Sequence, residues 1–287
     1  MGNYLLTFAD TSLTRSIYRF KRQALKMNFY DEVFCFDETN LDFNFKKKFE
    51  SKLIYGSRGF GYWSWKPQII MQVLKQLKEG DILQYTDVGC HLNQSGRERL
   101  LEYFNYTKES DTGILAFKAS PPVHPLKHDG RKLFNQRDYM YIKGDLIDYF
   151  NFRKPPEFIN DYCIGATAIF IKKCDYSLKI VEEWLEVINK DFTLIDNTPS
   201  VTENYPGFIE HRHDQAIFSL LCKKNNVVTL STYEYYYPKV NSIYPDWQHL
   251  KLFPIHAKRD KDFGFIKNNR LIVIRIINKI KKIFYVL

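Results

Sequence analysis

Short apolar runs alternate with helix-length amphipathic segments along most of this 287-residue chain. The first run is YLLTFA at 4–9, and in the segment after it apolar residues recur at the three- and four-residue spacing of one helical face. A second run, EVFCF at 32–36, predicts a second buried strand. Because parallel strands need crossover connections, this strand–helix–strand opening predicts an α/β fold with a parallel sheet.

The alternation continues through the middle of the chain, and the sequence contains neither an internal repeat nor a clear domain linker. One helix is predicted to end at Gly80, since glycine is common at the carboxyl ends of helices, and a strand follows directly. Further strands are predicted at 113–120, 163–173, 227–230 and 233–238, and further helices at 144–152, 175–190 and 211–226.

The charge balance indicates an anionic partner. The chain has 42 Lys and Arg against 33 Asp and Glu, a formal net charge of +9. A phosphate-bearing substrate, an acidic membrane surface and nucleic acid are all compatible with that excess. The five cysteines are scattered and show no C-x-x-C spacing, so we expect neither a disulfide framework nor a zinc site, and a reducing, cytoplasmic compartment. The amino terminus does not have the pattern of a signal peptide.

The last 23 residues form a segment of their own. Apolar residues recur at helical spacing, and four basic residues lie between Arg275 and Lys282. That many charges disfavour a membrane span. We therefore predict a domain at 1–264 followed by a basic amphipathic helix at 265–287 that lies on the inner face of an anionic membrane, the alternative being a helix packed on the domain.

An acidic residue, Asp87, directly follows the predicted strand DILQYT at 81–86. In open α/β sheets ligands bind at the carboxyl ends of the strands, where Asp37, Asp87 and the loop after Ser120 are expected to converge. A carboxylate there could hold Mg²⁺ or Mn²⁺ against a diphosphate, because hard cations prefer oxygen ligands. The alternative is that Asp87 and Gly89 form an ordinary turn.

Four segments, taken in order, resemble the GT-A fold glycosyltransferases of the bacterial capsule, lipopolysaccharide and O-antigen class. They are GYWSWKPQIIMQVLKQLKEGD, GDILQYTDVG, DYCIGATAIFIKK and EHRHDQAIFSLL, and the resemblance covers residues 4–258. It implies one α/β domain with a mixed, mainly parallel central sheet flanked by helices. It also implies a hexosyltransferase that uses a nucleotide-diphosphate sugar, with UDP as the expected nucleotide, and a glycan or lipid-linked acceptor.

The same resemblance implies a Mn²⁺ or Mg²⁺ site. The family uses an Asp-x-Asp motif or a shortened variant, and Gly89 stands where the second Asp would be. The implied metal ligands are therefore Asp87 and a late histidine, His256. The alternative for His256 is a loop histidine without a ligand role.

The segment HRHDQ at 211–215 supplies the predicted catalytic residues. Asp214 would deprotonate the acceptor hydroxyl in an inverting enzyme, and Gln215 or Asp214 would lie beneath the anomeric carbon in a retaining one. Capping of the helix start is the alternative. The predicted donor-binding residues are Thr7, Ala9, Arg58, Lys66, Asp87, Gly89, Arg137 and Asp138.

Two other functions remain open at the level of sequence. A nucleic-acid-binding protein would account for the positive charge and the 16% aromatic residues, although no recognisable binding motif is present and we expect no nucleic-acid partner. A catalytically inactive glycan-binding module of the same fold would account for the missing second Asp.

Overall fold

A computed structural model describes residues 1–122, 133–154, 157–239 and 244–260. The strands are β1 (Asn3–Phe8), β2 (Glu32–Phe36), β3 (Ile82–Thr86), β4 (His91–Leu92), β5 (Ile114–Lys118), β6 (Ile164–Lys172), β7 (Val228–Ser231) and β8 (Ile255–His256). The helices are α1 (Thr14–Met27), α2 (Phe43–Lys48), α3 (Gly59–Tyr62), α4 (Trp65–Gln76), α5 (Arg97–Glu109), α6 (Asp138–Tyr141), α7 (Gly144–Tyr149), α8 (Glu157–Asn160), α9 (Asp175–Lys190) and α10 (His213–Lys224).

Six strands form the central sheet in the order β2-β1-β3-β6-β5-β7. Strands β1, β2, β3, β5 and β7 run in one direction, and β6 runs in the opposite one. The nine-residue β6 pairs with β3 on one side and with β5 on the other. A separate two-stranded ladder joins β4 to β8 and pairs His91 with His256. The predicted α/β architecture, with a mixed, mainly parallel sheet flanked by helices, is confirmed.

Helices cover both faces of this sheet because successive strand residues point to opposite sides. Leu5 of β1 packs in a cluster with Phe20 of α1, whereas its neighbour Leu6 packs in a cluster with Ile69 of α4. Helix α5 shares the face of α1, and α9 and α10 share the face of α4.

The order of the strands locates a crevice. The first crossover, through α1, places β2 on one side of β1, and the second, through α4, places β3 on the other side. The two helices diverge to opposite faces at this reversal, and a sheet of this kind is expected to have its ligand-binding crevice there, beside the carboxyl ends of β1 and β3. Ala9 and Asp87 directly follow those two ends.

Three predictions about single elements were wrong. Strand β2 is an edge strand with half-buried or exposed residues, because the chain passes to the far side of β1 before forming β3. Helix α4 ends at Gln76, and Gly80, with φ of 86°, lies in the turn into β3. The stretch 233–238 is not a strand: a 3₁₀ turn at Thr232–Glu234 interrupts it, and Tyr233, Glu234 and Tyr235 are buried in succession.

The predicted amphipathic helix at 265–287 and the boundary at 264 lie outside the described residues. None of the helices in the described ranges has both the length and the apolar character that crossing a bilayer requires.

Candidate functional site

A left-handed turn leads into the site. The five residues from Gly59 to Trp63 all have positive φ values, between 50° and 85°. Three of them are not glycine, and left-handed helical backbone costs an L-residue about 1–2 kcal/mol. A Cβ at Gly61 would lie 2.9 Å from Leu53 Cδ2 and 3.1 Å from the Lys52 carbonyl oxygen, so these neighbours would have to shift. The turn is continuous with α4, in whose first turn Lys66 lies.

Packing on the sheet holds this entry to α4. The Trp65 ring stacks on Phe8 at the end of β1, with 3.9 Å between the ring centroids, and Phe60 packs on the same ring at 6.2 Å. The indole nitrogen of Trp65 donates a hydrogen bond to the Gly59 carbonyl. Packing of the neighbouring Trp65 therefore holds the backbone at Lys66, and only 3% of the Lys66 side chain is exposed.

Three oxygen atoms surround the Lys66 ammonium. Its Nζ lies 2.6 Å from Oδ2 of Asp214 and 3.4 Å from Oδ1 of Asp87. It also donates a hydrogen bond of 2.9 Å to the carbonyl of Ala166 in β6. The Tyr85 ring lies beside it, with its centroid 5.1 Å from Nζ. The buried cation thus joins the end of β3 to the start of α10.

Asp87 is the accessible carboxylate of the cluster. Its backbone N–H donates to the Thr167 carbonyl, which continues the ladder of β3, and the Tyr85 hydroxyl donates to Oδ1 at 2.7 Å. Its side chain is 32% exposed, which leaves it open to solvent at the crevice.

The loop after Asp87 is held by Arg19 of α1. The Arg19 guanidinium donates to the carbonyls of Val88 and Cys90, both at 2.8 Å, and to the carbonyl of Asp260. The N–H of Asp260 donates in turn to the Gly89 carbonyl. The segment after β8 therefore lies against the loop at the carboxyl end of β3.

Asp214, in the first turn of α10, is the buried carboxylate. Its side chain is 6% exposed, and the preceding His213 has a φ of 50°. Burial raises the pKa of Asp214 to about 6 although Lys66 opposes the rise. Burial alone would lower the pKa of Lys66, but the charges of Asp214 and Asp87 outweigh it and the pKa is raised. With both carboxylates ionised the cluster carries a net charge of −1.

The structure brings together Lys66, Asp87 and Asp214, three of the residues that the sequence singled out. Gln215 follows Asp214 in α10, is half-buried, and its backbone N–H bonds to the Asp214 carboxylate. Thr7 is buried and its hydroxyl donates to the carbonyl of Thr86, which ties β1 to the end of β3.

Two further donor-binding candidates lie beside the crevice. Ala9 is buried, and its N–H donates to the Phe36 carbonyl. Gly89 is close to the backbone of Arg259, although a Cβ at 89 would meet it only at an ordinary contact distance of 3.4 Å. Glycine is therefore not required there for packing.

The remaining predicted residues have other partners. Arg58 is exposed and pairs with Glu210 at 3.3 Å. The Arg137 guanidinium lies over the Tyr162 ring, 3.6 Å from its centroid. Asp138 is fully buried in an ion pair with Lys223. None of these three predicted residues makes a hydrogen bond or ion pair with Asp87, Lys66 or Asp214, and their donor-binding roles stay predictions.

Among the described residues, no hydrogen bond or ion pair joins the two predicted metal ligands, Asp87 and His256, and their ligand role stays a prediction. His256 uses Nε2 to donate to the Leu250 carbonyl at 2.9 Å, and its ring stacks on Trp247. Across the described ranges, no three His, Cys, Asp or Glu side chains are grouped in a way that could hold a metal ion.

Sequence reasoning missed Arg19 and Tyr85. Arg19 lies in the amphipathic helix α1, where a basic residue reads as solvated. Tyr85 lies in a strand whose five residues are all buried, where an aromatic residue reads as core. Only the adjacency of Tyr85 to Asp87 could have drawn attention to its hydroxyl.

Several solved glycosyltransferase structures superpose on this chain. No protein-family model matches the sequence, and no curated protein matches it. A glycosyltransferase involved in glycosylation of the major capsid of PBCV-1 superposes with a TM-score of 0.46 at 10% identity, over 92% of this chain and 95% of that one. The galactosyltransferase LgtC superposes with a TM-score of 0.46 at 10% identity, over 88% and 86%. Mouse xyloside xylosyltransferase 1 superposes with a TM-score of 0.40 at 12% identity, over 80% and 84%. Because these TM-scores are below 0.5, we base the functional proposal on the geometry of the site.

Proposed function

We propose that this protein is a glycosyltransferase of the GT-A type that moves a hexose from a nucleotide-diphosphate sugar to a hydroxyl of a glycan or lipid-linked acceptor. The observation that carries the proposal is the Lys66–Asp87–Asp214 cluster, in which one carboxylate is exposed at the carboxyl end of β3 and the other is buried behind a cation. The cluster borders the crevice where a doubly wound sheet binds its ligand.

Glycosyl transfer needs a carboxylate at such a position. The acceptor oxygen attacks the anomeric carbon, the bond from that carbon to the diphosphate oxygen breaks, and the acceptor proton passes to a base while the nucleoside diphosphate leaves. Positive charge develops on the sugar in the transition state, and a fixed carboxylate stabilises it.

Of the two carboxylates, we assign contact with the substrate to Asp87. Its side chain is 32% exposed, whereas that of Asp214 is 6% exposed and paired with Lys66. The sequence predicted Asp214 as the base of an inverting enzyme. The geometry favours Asp214 as a positioning residue, which holds Lys66 and through it sets the charge and orientation of Asp87.

The cellular setting of the proposal follows from the charge distribution. A net charge of +9, with a basic segment at 265–287, suits a peripheral enzyme at the inner face of an anionic membrane that builds a surface glycan. Deleting residues 267–287 is expected to release the protein from anionic vesicles in a flotation assay. Unchanged flotation would contradict this part of the proposal.

The test of the activity is a panel of nucleotide sugars incubated with wild-type protein and with Asp87→Asn. Release of nucleoside diphosphate from one donor by the wild type alone, followed by NMR of the product, would establish the reaction. A thermal shift with single-stranded DNA and none with any nucleotide sugar would favour the nucleic-acid alternative. Donor binding without turnover would favour the inactive glycan-binding module.

A further inference from the structure

The arrangement around Lys66 is the arrangement expected around a metal ion. Two carboxylate oxygens and one backbone carbonyl oxygen converge on a single point, and such oxygen donors are those that Mg²⁺ and Mn²⁺ prefer. In this protein the point is filled by the Lys66 ammonium. Its side chain is 3% exposed, and it enters from the start of α4, where Trp65 stacks on Phe8.

The ligands that remain do not suit a divalent cation. Asp87 shares its Oδ1 with Tyr85 and Lys66, so that among the described residues only Oδ2 is without a hydrogen-bond or ion-pair partner. The second acid of an Asp-x-Asp motif is replaced by Gly89. Across the described ranges, His256 does not form a group of three His, Cys, Asp or Glu side chains that could hold a metal ion.

We propose that Lys66 takes the place of the divalent cation, so that this protein binds its donor and transfers the sugar without Mn²⁺ or Mg²⁺. The statement about transfer rests on the proposed function. The claim that Lys66 occupies the cation position does not rest on the proposed function, since it concerns only cation binding by the folded chain.

The charge of a diphosphate must then be met by side chains. The cluster itself carries −1 with both carboxylates ionised, so the positive charge has to come from outside it. Lys258 and Arg259 are exposed and are the second and third residues after β8, and the backbone of Arg259 lies against Gly89. The segment is tied to the loop after Asp87 by the hydrogen bond from Asp260 to Gly89. These two cations are therefore attached to the edge of the sheet where Asp87 is exposed.

The direct test is Mn²⁺ binding measured by electron paramagnetic resonance on wild-type protein, Lys66→Ala and Lys66→Met. The wild type is expected to leave the free Mn²⁺ signal unchanged. Lys66→Ala vacates the point between the three oxygens and is expected to gain one Mn²⁺ site, which a second change, Asp87→Asn, removes. Lys66→Met keeps the space filled without charge and is expected to gain none. Circular dichroism confirms that each variant is folded.

Two results would overturn the inference. One is binding of Mn²⁺ by the wild type that Asp87→Asn abolishes. The other is the absence of binding in both the wild type and a folded Lys66→Ala variant, because the three oxygens would then not form a cation site at all.

The activity assay separates this inference from the proposed function. Transfer by the wild type is expected to stay within about twofold on addition of EDTA, whereas loss of a required Lewis acid costs about a hundredfold or more. Transfer that disappears with EDTA and returns with Mn²⁺ would refute the inference and leave the proposed function standing. If no nucleotide sugar is turned over with or without metal, the proposed function fails, and the resonance measurement still decides the role of Lys66.

Discussion

Replacement of Lys66 by methionine tests the buried ion pair by removing its cation while keeping most of its volume. The ammonium lies 2.6 Å from a carboxylate oxygen of Asp214, whose side chain is 6% exposed. The second contact, at 3.4 Å, is to Asp87, which is 32% exposed and screened by solvent. Most of the stability lost in Lys66→Met is therefore expected to come from leaving the buried Asp214 carboxylate without its cation.

The loss of stability caused by Lys66→Met depends on pH, because it depends on whether Asp214 is ionised. Even beside Lys66, burial raises the pKa of Asp214 from 3.8 to about 6, which corresponds to about 3 kcal/mol of folding free energy. Because the folded state binds this proton more tightly, the contribution of Asp214 to stability is fully present below pH 3.8 and is lost as the pH rises through about 6. Without Lys66 the pKa of Asp214 rises further, so the fall continues to a higher pH.

We therefore expect Lys66→Met to lose little stability at about pH 5 and about 3–5 kcal/mol at about pH 8, the cost of breaking a buried pair by removing one partner. Urea denaturation followed by circular dichroism at the two pH values measures both losses. The matched control is Lys66→Met with Asp214→Asn, which removes the uncompensated charge and is expected to recover most of the stability at the higher pH. A loss that is equal at both pH values, or a double variant less stable than the single one, would refute this reasoning.

The remaining predictions concern activity and the turn before α4. Asp87→Asn is expected to abolish transfer while changing the unfolding free energy by less than about 1 kcal/mol, since the carboxylate is partly exposed; a large loss of stability would show a structural role instead. The kcat/KM of the wild type is expected to fall on acidification through about pH 6, because protonation of Asp214 frees Lys66 to neutralise Asp87, and Asp214→Asn should lack this limb of the profile; an unchanged limb would contradict the positioning role. Gly61→Ala is expected to destabilise the protein by about 1–3 kcal/mol more than Gly80→Ala. Both glycines have φ near +85°, but only at Gly61 would a Cβ meet neighbouring atoms, so equal effects in thermal unfolding would refute the packing argument.

Much of the sheet could be predicted from the sequence because strand and helix periodicities are local properties of the chain. The position of Asp87 after DILQYT was enough to place it at the carboxyl end of a strand, and the structure confirms this. Lys66 and Asp214 were identified singly, Lys66 as a donor-binding residue and Asp214 from its position at a helix start. Their meeting across 148 residues depends on the side of β1 to which each crossover passes, which no local pattern encodes.

The errors have physical causes as well. The tyrosine-rich stretch 233–238 has a composition typical of strands, but a 3₁₀ turn forms there and Tyr233, Glu234 and Tyr235 are all buried. The left-handed backbone from Gly59 to Trp63 includes bulky residues that rarely have positive φ, and tertiary packing on Phe8 holds it. The engagement of His256 by the Leu250 carbonyl depends on the β4–β8 ladder, whose strands are too short to be predicted from sequence.

The most direct test of the central claim is release of nucleoside diphosphate from a panel of nucleotide sugars, measured side by side for wild-type protein and Asp87→Asn in the presence of EDTA. We predict that the wild type turns over at least one UDP-linked donor and that Asp87→Asn is slower by about a hundredfold or more. Equal release by the two proteins, or no release from any donor by the folded wild type with or without added Mn²⁺, would contradict it.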